Sequence, residues 1–234
     1  MASGEPPLSL FTENEAERNN NMERIICLLA GYLFGLLQSG FIYGKLHNID
    51  IRNYGSGNSG TTNALRVMGA KAGAVVFFGD FLKALIPCLL VRFFFREKPD
   101  IAYLLILYTG LGVILGHNYP FYLNFKGGKG IAATAGLIVA VDLRLMLLCL
   151  VAFVLIVAVT RYVSLGSLVV ATILLVWLII FGRNGTYGVS SGLLPEYYIA
   201  AALISGLAFW RHRANIVRLV RGRENKISIG SGKK

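Results

Sequence analysis

Residues 131–159 read IAATAGLIVAVDLRLMLLCLVAFVLIVAV, an apolar stretch of 29 residues in which Asp142 and Arg144 are the only charged ones. A single helix over this stretch would place both charges near the middle of a membrane, which is costly in free energy. Residues two apart do not share a helix face, so the charges could not easily neutralise each other. The stretch therefore predicts two apolar helices joined by a turn that puts both charged residues in water.

The composition excludes a water-soluble globule. Of the 234 residues, 55% are hydrophobic and 15% are charged, whereas a soluble domain carries about 25% charged residues. The mean hydropathy is +0.62. The apolar residues fall mostly into runs of roughly 16 to 23, the length that crosses about 30 Å of hydrocarbon as a helix, and the run at 130–142 is shorter. Secreted disulfide-rich miniproteins, collagen-like chains and disordered tails are excluded too.

Seven apolar segments predict an all-α integral membrane protein with seven transmembrane helices. They cover residues 25–44, 73–95, 101–116, 130–142, 144–159, 164–182 and 195–210. With the N-terminus outside, Lys and Arg are about twice as frequent in the inner segments as in the outer ones, the usual bias of membrane proteins. The N-terminus is therefore expected outside and the C-terminus in the cytosol. The net charge of +11 is in keeping with basic loops beside anionic lipid, and no nucleic acid is expected as a partner.

The chain is expected to hold one domain, residues 22–228, between two flexible ends. Residues 1–21 are polar and rich in Glu, the wrong sign for a signal peptide, and are expected to be a disordered extension. Met22 directly precedes the first apolar run, so translation could start there instead. Residues 229–234 are expected to form a basic flexible tail.

Between the apolar segments lie four polar stretches that all fall on one face in this topology. The first, GSGNSGTTNALR at 55–66, has three glycines in six residues, which permit close backbone approach. The Thr and Asn residues that follow are good N-caps for a helix starting near Ala64, and a glycine loop before a helix N-terminus suits a phosphate. Arg66 could add a bidentate contact. The GxxxxGK[ST] pattern of ATP-binding loops is absent, and a flexible connector is the alternative.

The second stretch combines GHNYP at 116–120 with FKGGKG at 125–130. Two lysines around two glycines, just before a helix, predict a second site for an oxyanion. The alternative is that Lys126 and Lys129 are interfacial anchors and that His117 makes a structural hydrogen bond at a helix end.

The third and fourth stretches are RYVSLGS at 161–167 and RHRANIVR at 211–218. Ser164 and Ser167 share a helix face and could donate to an anion. A helix continuing from the last apolar segment would align one polar stripe, made of Arg211, His212, Asn215 and Arg218. Taken alone, these two stretches are also typical of an interfacial anchor and of a solvated positive-inside stop signal.

Two charged residues, Asp80 and Lys83, lie three apart inside the second apolar segment. Intramembrane charges generally face each other or a polar cavity, and here a structural ion pair that supports the first glycine loop is favoured slightly over a place in the site. No metal site is predicted, because His47, His117 and His212 show no ligand spacing.

Together the four stretches resemble the bacterial acyl-phosphate:glycerol-3-phosphate acyltransferases, the PlsY family. The resemblance covers about residues 22–228 in order, and it includes Asp80 and Lys83 after the first stretch and Glu224 after the fourth. Ser59 and Thr61 stand where Pro and Ala are frequent in the family. Residues 1–21 have no counterpart in the family pattern, which favours a start at Met22.

The resemblance implies a bacterial inner-membrane enzyme without a cofactor, with its site facing the cytosol. Its reaction would move a fatty acyl group from acyl phosphate to the 1-hydroxyl of sn-glycerol 3-phosphate, giving lysophosphatidic acid and phosphate in phospholipid biosynthesis. Acyl-CoA and acyl carrier protein would not serve as donors. The implied partners are these two substrates, the lipid bilayer and, as a functional link, an acyl-ACP:phosphate acyltransferase. Two phosphorylated substrates need two anion sites, and the chain offers two glycine-rich basic loops.

The resemblance also suggests roles for single residues. Catalytic roles are expected for Ser56, Asn58, Lys126 and His212. Substrate binding is expected for Gly57, Gly60, Thr62, Asn63, Arg66, Gly127, Gly128, Lys129, Gly130, Ser164, Ser167, Asn215 and Arg218. Within these sets, residues 56–60 would bind one phosphate and residues 126–130 would stabilise the oxyanion. Glycerol 3-phosphate would be held by Arg66, Lys126, Asn215 and Arg218.

The general base is left open between His212 and an oxygen of a substrate phosphate, whose second pKa is about 6. No HxxxxD pair occurs, and substrate assistance with His212 in a positioning role is favoured. A transporter of a small phosphorylated anion is the alternative function. It would require glycine-broken helices near mid-membrane and repeated halves, and no internal repeat is apparent. A lipid-organising scaffold, in which the glycine loops are mere connectors, is a third reading.

Overall fold

The regular secondary structure in the described part of the chain is helical, as predicted. The computed structural model describes residues 8–227, with side chains from residue 21 onward, and within that range it contains helices and no strand. The α-helices are α1 Leu8–Gly35, α2 Ser39–Leu46, α3 Thr61–Met68, α4 Ala70–Phe94, α5 Pro99–Asn118, α6 Ile131–Val141, α7 Leu143–Thr160, α8 Val163–Arg183, α9 Leu194–Arg211 and α10 Arg213–Val220. Three short 3-10 helices lie between them, at Ile51–Asn53, Phe121–Leu123 and Ser191–Leu193.

Asp142 separates α6 from α7, as the charges in this stretch predicted. Its backbone is extended, and its carboxylate accepts a hydrogen bond from the Arg144 N–H at 2.8 Å, which caps α7. The expectation that the turn puts both charges in water is wrong for Asp142. Because Asp142 is outside the helix, the Arg144 guanidinium turns back to pair with it at 2.7 Å, and Asp142 is only 9% exposed.

Six candidate spans in residues 8–227 are long and apolar enough to cross a membrane. α6 is shorter, with 11 residues. That length is about 16 Å, well below the roughly 30 Å of hydrocarbon. Seven transmembrane helices and an outer N-terminus therefore stay predictions.

The first apolar segment, predicted as one helix over 25–44, is interrupted at residues 36–38. The Gln38 side-chain amide, which is buried, fills this interruption. It donates to the backbone carbonyls of Gly35, Gly116 and His117 at 3.1–3.3 Å. Buried carbonyls need such partners, so a polar residue inside an apolar run here joins the end of α1 to the end of α5.

α5 is the central helix of the bundle, with α1, α4, α6 and α9 packed around it. Its contact with α1 runs through two glycine pairs at GxxxG spacing, Gly31 with Gly35 and Gly112 with Gly116. A Cβ at Gly116 would collide with the carbonyl oxygen of Tyr32. Glycine therefore lets the two backbones touch, as small residues commonly do between membrane helices.

We expect Gly116→Ala to destabilise the fold by about 3 kcal/mol or more, because the collision is with backbone rather than with a movable side chain. The free energy of unfolding in detergent, followed by helix content, measures the effect. Gly206→Ala is the matched control, since a Cβ at this α9 glycine would meet nothing within 4 Å. Equal effects of the two substitutions would contradict the close contact of α1 with α5.

The chain ends differ partly from expectation. The extension predicted to be disordered over 1–21 is helical from Leu8, where α1 begins. Residues 13–18 contain Glu, Ala and Arg, which favour helix and account for the difference. Residues 1–7 and the predicted tail 229–234 lie outside the described residues, and a start at Met22 stays a prediction.

Candidate active site

One cavity of about 420 Å³ collects side chains from all four polar stretches. The residues predicted for the site that line it are Ser56, Asn58, Gly60, Thr62, Asn63, Arg66, Lys129, Gly130, Ser164, Ser167, His212, Asn215 and Arg218. Segments separated by more than 150 residues along the chain thus meet in one place. A cavity of this size is typical of a small-molecule site.

Four predicted site residues do not line the cavity: Gly57, Lys126, Gly127 and Gly128. Lys126 is exposed, so the structure does not bring it to the other predicted catalytic residues. The chain turns at Asn124 and Phe125, which both have a positive φ, and Lys126 follows on the outside of this turn. Lys129 is the lysine that the loop presents to the cavity.

Asn63 holds the first glycine loop. Its side-chain oxygen accepts a hydrogen bond from the Ser56 N–H at 2.8 Å, and its amide nitrogen donates to the carbonyls of Ile51 and Tyr54 at 3.1 and 3.0 Å. These bonds occupy both ends of the Asn63 amide, so Asn63 positions the loop rather than offering a free group to a ligand. Gly55 has a φ of +60°, and a Cβ there would collide with the Asn63 side chain.

Arg211 holds the second glycine loop. Its guanidinium donates to the carbonyl oxygens of Gly127 and Gly128 at 2.8–3.0 Å. On the other side of the loop the His117 imidazole packs so closely that a Cβ at Gly128 would collide with its Nε2. These contacts fix the loop so that Lys129 and the first residues of α6 lie in the cavity wall.

The ion pair predicted between Asp80 and Lys83 is present in the buried interior, with an N–O distance of 2.8 Å. Lys83 also donates to His117 Nδ1 at 2.8 Å and to the Leu37 carbonyl. An ammonium only donates, so the proton of the neutral His117 ring is on Nε2. The cluster supports both the interruption after α1 and the second glycine loop, while Asp80 and His117 also reach the cavity wall.

A carboxylate from the C-terminal segment lies among the cations of the cavity. Glu224 accepts hydrogen bonds from Ser164 Oγ at 3.1 Å, Asn215 Nδ2 at 2.7 Å and Arg218 Nε at 2.8 Å. Lys129 Nζ donates in turn to Asn215 Oδ1 at 2.5 Å. Three residues predicted to bind substrate are therefore held in place by one carboxylate.

Four helices begin at the cavity. Their first residues on its wall are Thr61 and Thr62 of α3, Ile131 and Ala132 of α6, Val163 and Ser164 of α8 and Ala214 of α10. α3 starts at Thr61 rather than near Ala64, because Gly60 and not a Thr or Asn is its N-cap, and no side chain caps any of the four helices. First-turn N–H groups and positive helix-dipole ends therefore surround the cavity and favour anions.

His212 interrupts the helix that was predicted to continue through 211–218, and it is the residue between the end of α9 and the start of α10. Its Nδ1 lies 2.7 Å from the Ala208 carbonyl oxygen, so Nδ1 donates and Nε2 keeps a lone pair. Burial, together with the nearby Lys129 ammonium, lowers the pKa of His212 to about 4. The imidazole is therefore neutral at pH 7 and can accept a hydrogen bond.

The carbonyl contacts of Arg211 and the carboxylate contacts of Glu224 were not predicted from the residues themselves. Glu224 offered a signal, because it is a lone acidic residue in a basic tail. Its segment is fixed by Ile227, whose N–H donates to the Arg161 carbonyl at 2.8 Å. Apart from its charge, Arg211 gave no sequence signal for its contacts, because the direction of its side chain depends on the helix interruption at His212.

Comparison with known proteins gives consistent matches. The sequence model of a family described as glycerol-3-phosphate acyltransferase matches residues 25–222. A glycerol-3-phosphate acyltransferase of Clostridioides difficile (strain 630) is 40% identical over 204 residues, covering 87% of this chain and 95% of the relative. One from Thermoanaerobacter sp. (strain X514) is 37% identical over 207 residues, covering 88% and 96%.

Two solved structures have the same fold. The crystal structure of PlsY (YgiH), an integral membrane glycerol 3-phosphate acyltransferase, in its glycerol 3-phosphate form has a TM-score of 0.75 at 35% identity, covering 88% of this chain and 96% of that one. The lysophosphatidic acid form has a TM-score of 0.74 at 34% identity, covering 88% and 95%.

Proposed function

Because the chain belongs to the glycerol-3-phosphate acyltransferase family of integral membrane proteins, we propose that its acyl donor is an acyl phosphate. The acyl group would move to the 1-hydroxyl of sn-glycerol 3-phosphate, giving lysophosphatidic acid and inorganic phosphate. The relatives named above are acyltransferases, so the comparisons favour the enzyme over the transporter alternative.

The observation that carries this proposal is the shared cavity, in which four helix N-termini and several cations surround one space. An acyl phosphate and glycerol 3-phosphate each bring a phosphate group, and the transition state adds a developing oxyanion. Fixed N–H groups and cations stabilise such charge without reorganising. Phe77, Phe153 and Val157 form an apolar part of the same wall, and we assign them to the acyl chain.

The two phosphates are assigned to the two sides of the cavity. Ser56, Asn58 and the first-turn N–H groups of α3 would hold the donor phosphate. Glycerol 3-phosphate would be held by Arg66, Asn215 and Arg218, with Lys129 in the place that was first given to Lys126. The Asn215 and Arg218 side chains are positioned by their hydrogen bonds to Glu224.

In the proposed reaction the 1-hydroxyl oxygen attacks the acyl carbonyl carbon, and a tetrahedral oxyanion forms. When this intermediate collapses, the bond between the acyl carbon and the phosphate oxygen breaks. The new ester C–O bond stays, and phosphate leaves. The hydroxyl proton ends on the departing phosphate, whose second pKa of about 6 makes it a better base than an imidazole of pKa about 4. His212 would accept the hydroxyl hydrogen bond through Nε2 and orient the attack.

The site is proposed to face the cytosol of a bacterial inner membrane, with seven transmembrane spans and an outer N-terminus. The excess of basic residues in the segments that build the cavity supports this orientation. The same reaction would place the enzyme in phospholipid biosynthesis, downstream of an acyl-ACP:phosphate acyltransferase that supplies its donor.

The test is the reaction of purified protein in lipid with palmitoyl phosphate and glycerol 3-phosphate. We expect stoichiometric release of inorganic phosphate and formation of palmitoyl-glycerol 3-phosphate. Palmitoyl-CoA in a parallel reaction should give no product. Activity with palmitoyl-CoA alone would overturn the donor assignment while leaving the family assignment intact.

Lys129 predicts a pH dependence of glycerol 3-phosphate use. Burial lowers its pKa to about 8, with the attraction of Glu224 opposed by the repulsion of Arg218. Lys129 is charged below this pH and neutral above it, whereas glycerol 3-phosphate stays dianionic above about pH 6. We expect kcat/KM for glycerol 3-phosphate to fall about tenfold per pH unit above pH 8. Lys129→Arg should remove this fall, and a profile unchanged by that substitution would contradict the assignment.

A further inference from the structure

A second cavity lies at the opposite ends of the helices that build the first. Its volume is about 280 Å³, and its polar lining residues are Arg92, Tyr103, Asp142, Arg144, Thr186 and Tyr187. α5 reaches the first cavity at His117 near its C-terminus, and this one at Tyr103 near its N-terminus. α6 likewise begins at the first cavity and ends at this one. We call it the distal cavity.

The charges around the distal cavity leave one cation in excess. The Asp142 carboxylate is paired with Arg144 at 2.7 Å and accepts a further hydrogen bond from the Tyr187 hydroxyl at 3.2 Å. Arg92 donates from one guanidinium nitrogen to the Ala140 carbonyl at 2.9 Å. Among the described side chains Arg92 has no carboxylate partner within 4 Å, so its remaining N–H groups are available to an anion.

The distal cavity lies where long apolar helices begin and end. Leu143, the first residue of α7, lines it, and Arg92 and Tyr103 on its wall lie close to the end of α4 at Phe94 and the start of α5 at Pro99. Arg92 lies over the Tyr103 ring, 5.7 Å from its centroid, as cations and aromatic rings commonly do at membrane surfaces. The ends of membrane-spanning helices lie at the membrane surface, so we infer that these polar lining groups are at the level of the lipid phosphates.

Apolar side chains flank the cavity on the surface. Phe93 and Phe94 at the end of α4 are 57% and 72% exposed, and Leu143 and Leu147 at the start of α7 are 66% and 60% exposed. A free anion would gain nothing from these side chains. A lipid would bury them with its acyl chains while its phosphate lies in the cavity.

The geometry points to the distal cavity as a binding site for the phosphate of an anionic phospholipid headgroup, with Arg92 as its main contact and Arg144 as the second. The lipid would belong to the leaflet on the side away from the active site. The site is independent of the proposed reaction, since none of its lining residues lines the catalytic cavity.

The test is native mass spectrometry of protein released from phosphatidylcholine vesicles that contain phosphatidylglycerol as a minor component. We expect the wild type to retain phosphatidylglycerol. Arg92→Gln should retain about tenfold less, the usual effect of removing one charged contact. Arg183→Gln is the matched control, an exposed arginine at the same end of the bundle that does not line the cavity. It should retain lipid as the wild type does.

Arg92→Lys separates lipid binding from folding, because it keeps the charge and should retain phosphatidylglycerol even where Arg92→Gln unfolds. Wild-type retention by Arg92→Gln, or equal losses in Arg92→Gln and Arg183→Gln, would overturn the inference. Inorganic phosphate is the competing probe and should displace little lipid. Displacement by phosphate as effective as by added phosphatidylglycerol would overturn the lipid assignment in favour of a free anion.

Discussion

Lys129→Ala should lower kcat/KM by about 10²–10³, the usual loss when one group that stabilises developing charge is removed. Lys129 lines the cavity, and its Nζ donates to Asn215 beside the Glu224 carboxylate. Without it, the cavity loses one of the cations that line it. Steady-state kinetics with both substrates varied measures the effect.

Lys126→Ala is the matched control for Lys129→Ala. Both lysines belong to the same glycine loop, but Lys126 is exposed and does not line the cavity. Its loss should change kcat/KM by less than about threefold, in keeping with a surface charge. If Lys126→Ala were as damaging as Lys129→Ala, the arrangement of the second loop described here would be wrong.

His212→Ala should raise KM for glycerol 3-phosphate about 10- to 100-fold, the effect of losing one buried hydrogen bond, with kcat within about tenfold of the wild type. The reason is that His212 is neutral, is held by Ala208 and offers only an acceptor to the substrate hydroxyl. His47→Ala is the control, since this exposed histidine does not line the cavity. A fall in kcat of about 10³ or more would instead make His212 the general base.

Much of the architecture could be predicted from local rules. The apolar runs gave the long helices, and the pair of charges in the 131–159 stretch gave the separation of α6 from α7. The two glycine-rich loops predicted that a helix follows each of them, and these helices, α3 and α6, are two of the four that begin at the cavity. These features depend on nearby residues and on the cost of placing charge in hydrocarbon, so one sequence suffices.

Other features depend on contacts between distant segments. Lys126 and Lys129 are equivalent in the sequence, and only the turn at residues 124–125 and the Arg211 contacts decide which one faces the cavity. The Asp142–Arg144 pair could form because Asp142 is a cap rather than a helical residue. Glu224 joins its partners across gaps of 6 to 60 residues.

The central claim is that the four polar stretches build one receptacle for both phosphates. It is tested most directly by a crystal structure of the protein with glycerol 3-phosphate and a non-hydrolysable acyl phosphonate bound together. We predict both phosphorus atoms in the 420 Å³ cavity, one beside Ser56 and the α3 N-terminus and the other beside Lys129 and Arg218. Either ligand bound outside this cavity, or contacts confined to one of the four stretches, would contradict the account.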